Sequence, residues 1–376
     1  MIIYSITFCR PPAPATMQPQ RLFFRQLLLV VTLLVAQPVA AFTLSPGDVL
    51  VGRGFNTDSS REGDVIRVNV ADGTFEVLVS GGMVRSPNHI ATDHAGRIII
   101  AEWQNGPIIA VEPDGGDQVI VGSGDLLKYP RGVAVGPDGH LYVSAGGFSD
   151  PDGRVVRIDM NDYDPLEPEA NQQLVGTGGL LSYPGGIVVG PLGNLFVGAT
   201  SADKIVMVDP DSFNPEEEEA NQTIVGSRLF PRSLAMDHDG TVFASFLNDD
   251  GAYHIDPASY SPQSPQANST QIASFVQDCG VCSIATEASG QVLLLESINS
   301  PPHHWLVRID PSGFDSENPL ANQTQLASIE DVRVGSVLAG LWVVPVPEPT
   351  STIAQITALL TLGFLARRSG TGPTRS

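Results

Sequence analysis

The sequence predicts an all-β fold: a six-bladed β-propeller of four-stranded antiparallel blades, with the closing blade built from both chain ends. Three observations carry this. A strand–turn–strand unit recurs six times at intervals of 43 to 57 residues, a period that fits propeller blades rather than helical solenoids. The full units run on into a third and a fourth apolar strand. The earliest blade lacks its first strand, while a lone extra copy of that strand stands near the C-terminus.

The clearest copy is PRGVAVGPDGHLYVS, Pro130 to Ser144. Gly132 to Val135 make an apolar, β-branched strand. Pro137-Asp138-Gly139 turns the chain, with Gly139 free to take the positive φ of a tight turn. Leu141 to Val143 return. The other copies begin at Pro87, Pro184, Pro231, Val281 and, truncated, Leu338. Third strands follow as VVRIDM, KIVMVDP, AYHIDP and WLVRIDP, ending in turns, and fourth strands as QVIVGSG, QQLVGTGG, QTIVGSR, TQIASF and TQLASI. In blade one, GDVLVG from Gly47 aligns with a second strand, and DVIRVNV and FEVLVSG are its third and fourth. Its first strand is then Gly340 to Val344, and a ring closed this way leaves no raw sheet edge.

The linkers before the fourth strands share an Ala-Asn-Gln or Ala-Asn-Ser ending. Asn221, Asn268 and Asn322 fall in Asn-x-Ser/Thr sequons. A turn repeated by duplication is the simpler reading, and glycosylation the other. The run Glu216 to Glu219 offers carboxylates to Ca2+ or another divalent cation, or is a solvated loop. No residue set is assigned as a metal site.

The chain divides into three segments. Residues 1–41 read as an N-terminal signal peptide: Arg21 and Arg25 precede an apolar run from Leu27 to Ala36, and Val39-Ala40-Ala41 suits cleavage. Met17 is an alternative start. Residues 42–346 are the propeller. Residues 347–376 begin with Pro347-Glu348-Pro349, continue as an apolar run from Ile353 to Ala366, and reach Arg367-Arg368. Fourteen helical residues at about 1.5 Å each give roughly 21 Å, short of the ~30 Å hydrocarbon core.

The whole chain carries net charge −21. Setting aside six arginines and one glutamate in the two end segments leaves 14 basic against 40 acidic side chains, a net of −26. Such a surface repels nucleic acid and anionic lipid. Two cysteines remain in the propeller, Cys279 and Cys282. In an exported protein their spacing reads most simply as a small disulfide, with free thiols the alternative.

Chemistry is sought where the second strands end. That position holds Arg53, Glu102, Ala145, Ala199, Phe246 and Glu296 in blades one to six. Ring closure makes blades six, one and two neighbours, so Glu296, Arg53 and Glu102 are expected to cluster, with His89 nearby. Two carboxylates, a guanidinium and an imidazole suit a small ligand or acid–base work; an inter-blade salt-bridge network is the competing reading. Arg131 and Arg232 follow the leading prolines of blades three and five and would suit an anionic sugar or lactone at the same mouth. No Gly-x-Ser-x-Gly elbow, His-Glu-x-x-His or P-loop occurs. His303-His304, beside Pro301-Pro302, is expected in an exposed loop.

The repeating pattern, typified by Pro130-x-Gly132-Val133-x-Val135 and Gly139-x-Leu141-Tyr142-Val143, is similar to NHL repeats and to the related six-bladed propellers of the gluconolactonase and strictosidine-synthase-like group. The resemblance spans residues 47 to 345 and implies the fold. It leaves activity open, since that architecture hosts lactonases, lyases and binding modules. Lactonases of the group hold a divalent metal with a glutamate and asparagines, and this sequence has no clear counterpart to that set. The C-terminal segment resembles the PEP-CTERM sorting signal of exported bacterial proteins. That resemblance implies an exosortase-type processing enzyme as partner, transient inner-membrane association, and delivery to the cell surface or extracellular matrix; an ordinary tail anchor is the other reading. The leading functional expectation is a non-enzymatic module that binds an extracellular polysaccharide or a surface protein. The alternative is a metal-dependent lactonase- or lyase-type enzyme acting on a small sugar-derived substrate at the channel mouth.

Overall fold

The computed structural model describes residues 44–55, 62–103, 106–147, 153–246, 251–275, 279–299, 302–329 and 336–345. The signal segment and the sorting segment, including Pro347, Glu348, Pro349, Arg367 and Arg368, lie outside them.

Six antiparallel sheets of four strands make the fold. Blade one is β1 (Val49–Phe55), β2 (Asp64–Val68) and β3 (Phe75–Ser80), completed by β24 (Ser336–Val343). Blade two is β4 (Pro87–Thr92), β5 (Ile98–Glu102), β6 (Ile108–Val111) and β7 (Gln118–Gly122). Blade three is β8 (Pro130–Val135), β9 (Leu141–Ala145), β10 (Arg154–Ile158) and β11 (Gln172–Thr177). Blade four is β12 (Pro184–Val189), β13 (Leu195–Ala199), β14 (Lys204–Val208) and β15 (Gln222–Ser227). Blade five is β16 (Pro231–Met236), β17 (Val242–Phe246), β18 (Gly251–Ile255) and β19 (Ser269–Ser274). Blade six is β20 (Cys279–Thr286), β21 (Val292–Asn299), β22 (Pro302–Ile309) and β23 (Gln323–Ser328).

The apolar runs of the second strands follow from where a blade sits. Each blade lies between two others, so both faces of its sheet must be apolar. In β5, Ile98 and Ile100 pack with Leu50 and Val65 of blade one, while Ile99 and Ala101 pack with Val133 and Val143 of blade three. Six buried apolar clusters form among the described residues, one at each junction between blades. At about 25 cal/mol per Å2 of apolar surface buried, these junctions are the main favourable contribution to folding.

The first strands touch in cyclic order, β4 to β8, β12, β16, β20, β24 and back to β4. The closing pair is the one expected: β24 runs antiparallel to β1, with Leu341 opposite Val51 and Val343 opposite Val49. One expectation is corrected. His303-His304 is not a loop, because β22 begins at Pro302 and pairs with β21; His304 is 3% exposed.

The repeated asparagines clasp neighbouring blades. Asn221 Nδ2 donates to Asp209 O at 2.8 Å within its own turn and to Val175 O of the preceding blade at 2.9 Å. Asn268 does the same with Asp256 O and Val225 O, and Asn322 with Asp310 O and Ile272 O. The next residue adds a second clasp: Gln222 Nε2 donates to Thr177 O, and Gln323 Nε2 to Ser274 O. The acidic run Glu216 to Glu219 belongs to this turn, and Glu218 and Glu219 lie over Gly178 and Gly179.

Asn221→Ala leaves two carbonyls without their donor and is expected to cost about 1–3 kcal/mol in chemical denaturation. Thr223→Ala destroys the same sequon at an exposed position and is expected to stay within about 0.5 kcal/mol. Equal losses from the two would overturn the clasp.

Candidate functional site

The channel mouth is built by a bulge. In each full blade the ladder between first and second strands slips just after the strand's leading residue, as between Pro130 and Gly132 and between Pro231 and Ser233. The skipped residue makes no ladder pair, and a bulge re-aims its side chain. Asn88, Arg131, Gly185 and Arg232 all hold this skipped position, and all four line one small cavity of about 30 Å3 at the mouth. His89, Tyr183 and Ser233 are also in its wall.

Aromatic rings rim the mouth. Tyr129, Tyr183 and Phe230 each precede the leading proline and share a left-handed φ of 55°, 50° and 53°. That conformation costs an L-residue roughly 1–2 kcal/mol. In blades three and four it is held by a bond across the end of the second strand, from Gly146 N–H to Tyr129 O and from Thr200 N–H to Tyr183 O.

Arg131 lies between two of the aromatics, its Cζ 4.4 Å from the Trp103 ring centre and 3.8 Å from that of Tyr183. Its Nη2 also donates to Tyr183 Oη. Burial pulls its pKa down to about 10, with a further downward push from the neighbouring Arg232 charge. It stays cationic at neutral pH. Burial lowers Arg232 as well, against the opposing influence of Tyr183. His89 accepts a long bond at Nδ1 from Val133 N–H, 3.4 Å, and burial pushes its pKa down to about 4, so the imidazole is neutral.

His89, Arg131 and Arg232 are therefore brought together, and Arg53, Glu102 and Glu296 do not join them. Arg53 is held by its own blade, its Nε and Nη2 reaching Asp64 Oδ1 and Oδ2 at 2.6 and 2.5 Å, with the Phe75 ring below. Glu102 turns to the loop before β4, where its carboxylate accepts from Ser86 N at 2.7 Å and Arg85 N at 3.2 Å. Burial nevertheless pushes its carboxyl up to about 7. Glu296 is 3% exposed, and burial alone raises it to about 7. Cys279 and Cys282 stand in β20, but their side chains lie outside the described residues.

Beyond His89 the channel widens into an opposite funnel of about 340 Å3. Its walls are largely apolar, among them Val189, Met236, Leu341 and Trp342, and Asp237 and Glu287 also line it. Among the described residues no group of three or more His, Cys, Asp or Glu side chains is placed to hold a metal ion, and no helix is long and apolar enough to cross a membrane.

Sequence reasoning missed Asn88, Trp103 and Tyr183. The signal for Tyr183 was present in the residues before the leading prolines, which are aromatic in three blades of four: Tyr129, Tyr183 and Phe230.

The fold defines the chain as a six-bladed β-propeller. No family model and no curated protein matches its sequence. A chain in the crystal structure of a nidogen/laminin complex is similar at TM-score 0.56 and 13% identity, covering 79% of this chain and 98% of that one. A PQQ-bound aldose sugar dehydrogenase from Streptomyces coelicolor aligns at TM-score 0.49 and 18% identity, over 66% and 83%. At 13% identity the likeness to the nidogen/laminin chain is one of fold.

The raised Glu296 carboxyl makes stability depend on pH. Its folded pKa of about 7 exceeds the ordinary 4.5, so the folded chain keeps a proton that the unfolded chain releases. Its contribution to stability falls as pH rises from 4.5 to about 7 and is level above. Glu296→Gln is expected to match the parent near pH 4.5 and to exceed it at pH 8 by up to about 3 kcal/mol. Melting curves that differ by a constant amount across that range would exclude this account.

Proposed function

We propose that the protein is an exported, non-enzymatic module of the cell surface or extracellular matrix that binds a carbohydrate partner at the mouth lined by Arg131 and Arg232. The observation that carries this reading is a concave site joining the buried Arg131 and the half-buried Arg232 to an aromatic rim, on a domain whose surface is otherwise strongly acidic. Aromatic rings supply large, rigid contact area with a polar edge. The signal-like first segment and the Pro347-Glu348-Pro349 tail, with Arg367-Arg368, support export and exosortase-type processing.

The protein as isolated from the exported fraction of its host is expected to bind that host's extracellular polysaccharide in co-sedimentation, and Tyr129→Ala, at an exposed rim position, to weaken binding. Retention of polysaccharide affinity by Tyr129→Ala would remove the rim from the reading. Intact-mass measurement is expected to show the chain ending near Pro347; a retained Arg367-Arg368 would make the tail a plain anchor.

A lactonase- or lyase-type activity is the second reading, favoured by the two carboxyls raised to about 7, the range in which general acid–base groups work best at neutral pH. Lactone turnover with added divalent metal, lost in Glu296→Gln, would replace the module with the enzyme.

A further inference from the structure

The wall of the mouth is more selective than carbohydrate binding alone requires. Its neutral polar groups are engaged with the backbone. Asn88 Nδ2 donates to the carbonyls of Pro130 and Arg131. Thr200 Oγ1 donates to Pro231 O at 2.7 Å, while Ser233 Oγ and Ser283 Oγ accept from Ile284 N and Gly340 N at 3.3 Å. The Asn88, Ser233 and Ser283 bonds tie first strands of neighbouring blades together, and the Thr200 bond ties the end of β13 to the first strand of blade five.

The capacity left open is of one kind. Arg131 is 8% exposed, and its Nε has no acceptor. Arg232 makes no ion pair with any described carboxylate, and its charge opposes that of Arg131. One buried and one half-buried like charge, with no counter-charge among the described residues, are unfavourable together, and an anion between them lowers the penalty.

Geometry sets the size of that anion. Gly185 holds the ring position between the two arginines. A Cβ there would stand 2.7 Å from Arg232 O and 3.1 Å from Thr200 Oγ1, so no side chain fills the gap. The cavity of about 30 Å3 has room for roughly two water-sized oxygens and none for a sugar ring. Guanidinium forks match carboxylates in plane. The net charge of −26 over residues 42–346 works against a polyanion and favours an isolated carboxylate.

We propose that Arg131, Arg232 and Tyr183 form a carboxylate subsite that takes the head of a sugar acid, with the sugar ring outside it over the aromatic rim. The sugar part rests on the module reading; the carboxylate part stands on the geometry alone. Calorimetric titration of the intact protein with sodium glucuronate is the test, with glucose, the glucuronate methyl ester and inorganic phosphate as comparators. Glucuronate is expected to bind ~10- to 100-fold more tightly than glucose or the ester. Arg232→Met is expected to lose the same factor. Arg131→Lys, which keeps the charge but loses the fork, is expected to lose most of it with an unchanged near-UV circular dichroism spectrum. No glucuronate binding, equal binding of the ester, tighter binding of phosphate, or an unaffected Arg232→Met each overturns the subsite. Neutral sugar bound as tightly as glucuronate overturns the subsite and leaves the module. Glucuronate binding without polysaccharide binding overturns the module and leaves the subsite.

Discussion

A four-stranded sheet with two apolar faces is not stable alone in water; it has to be covered on both sides, and this one constraint organises the molecule. Ile98 and Ile100 need blade one as much as Ile99 and Ala101 need blade three. The demand passes from blade to blade until it returns to its start, which is why β24 must travel back to β1. A ring that stopped at blade six would leave the cluster around Val51, Leu295 and Leu341 half built.

The same packing explains why the channel is where polar chemistry collects. Blade faces are filled by neighbours and the outer turns by the asparagine and glutamine clasps. The inner ends of the first strands have only each other, and the bulge after each leading residue aims one side chain at that shared space. Small residues at some of these positions and arginines at two others make the mouth uneven, and the unevenness leaves a gap of definite size beside Gly185. Tyr183 then serves both arginines, as a stacking face and an acceptor for Arg131 and as a compensating dipole for Arg232.

Much of this was legible in the residues, and the failures are instructive. Strands buried on both sides appear as continuous apolar runs, so Leu141 to Val143 and its counterparts could be read directly, as could the stray strand at Leu341. Arg131 and Arg232 were legible because a proline marks the start of the first strand in blades two to five. The expected grouping of Arg53, Glu102 and Glu296 rested on equal positions in aligned strands, and equal position does not fix direction. Asp64 stands opposite Arg53 in the ladder and takes its guanidinium, while backbone N–H groups at Ser86 take Glu102. Neither partner is marked by the repeat. Tyr183 is harder to find, because an aromatic before a proline is compatible with packing and with a binding site alike.

The pairing of Val49 with Val343 has a bearing on how the domain is presented. Each first strand begins at the arginine-lined mouth, and β24 runs from there toward the opposite funnel, whose wall includes Val343, Val344 and Pro345. Gly47 N–H bonds to Val344 O, so the described chain both begins and ends at that far side. A tether joined at either of those described ends would meet the face remote from Arg131 and Arg232 and would leave the arginine-lined opening clear.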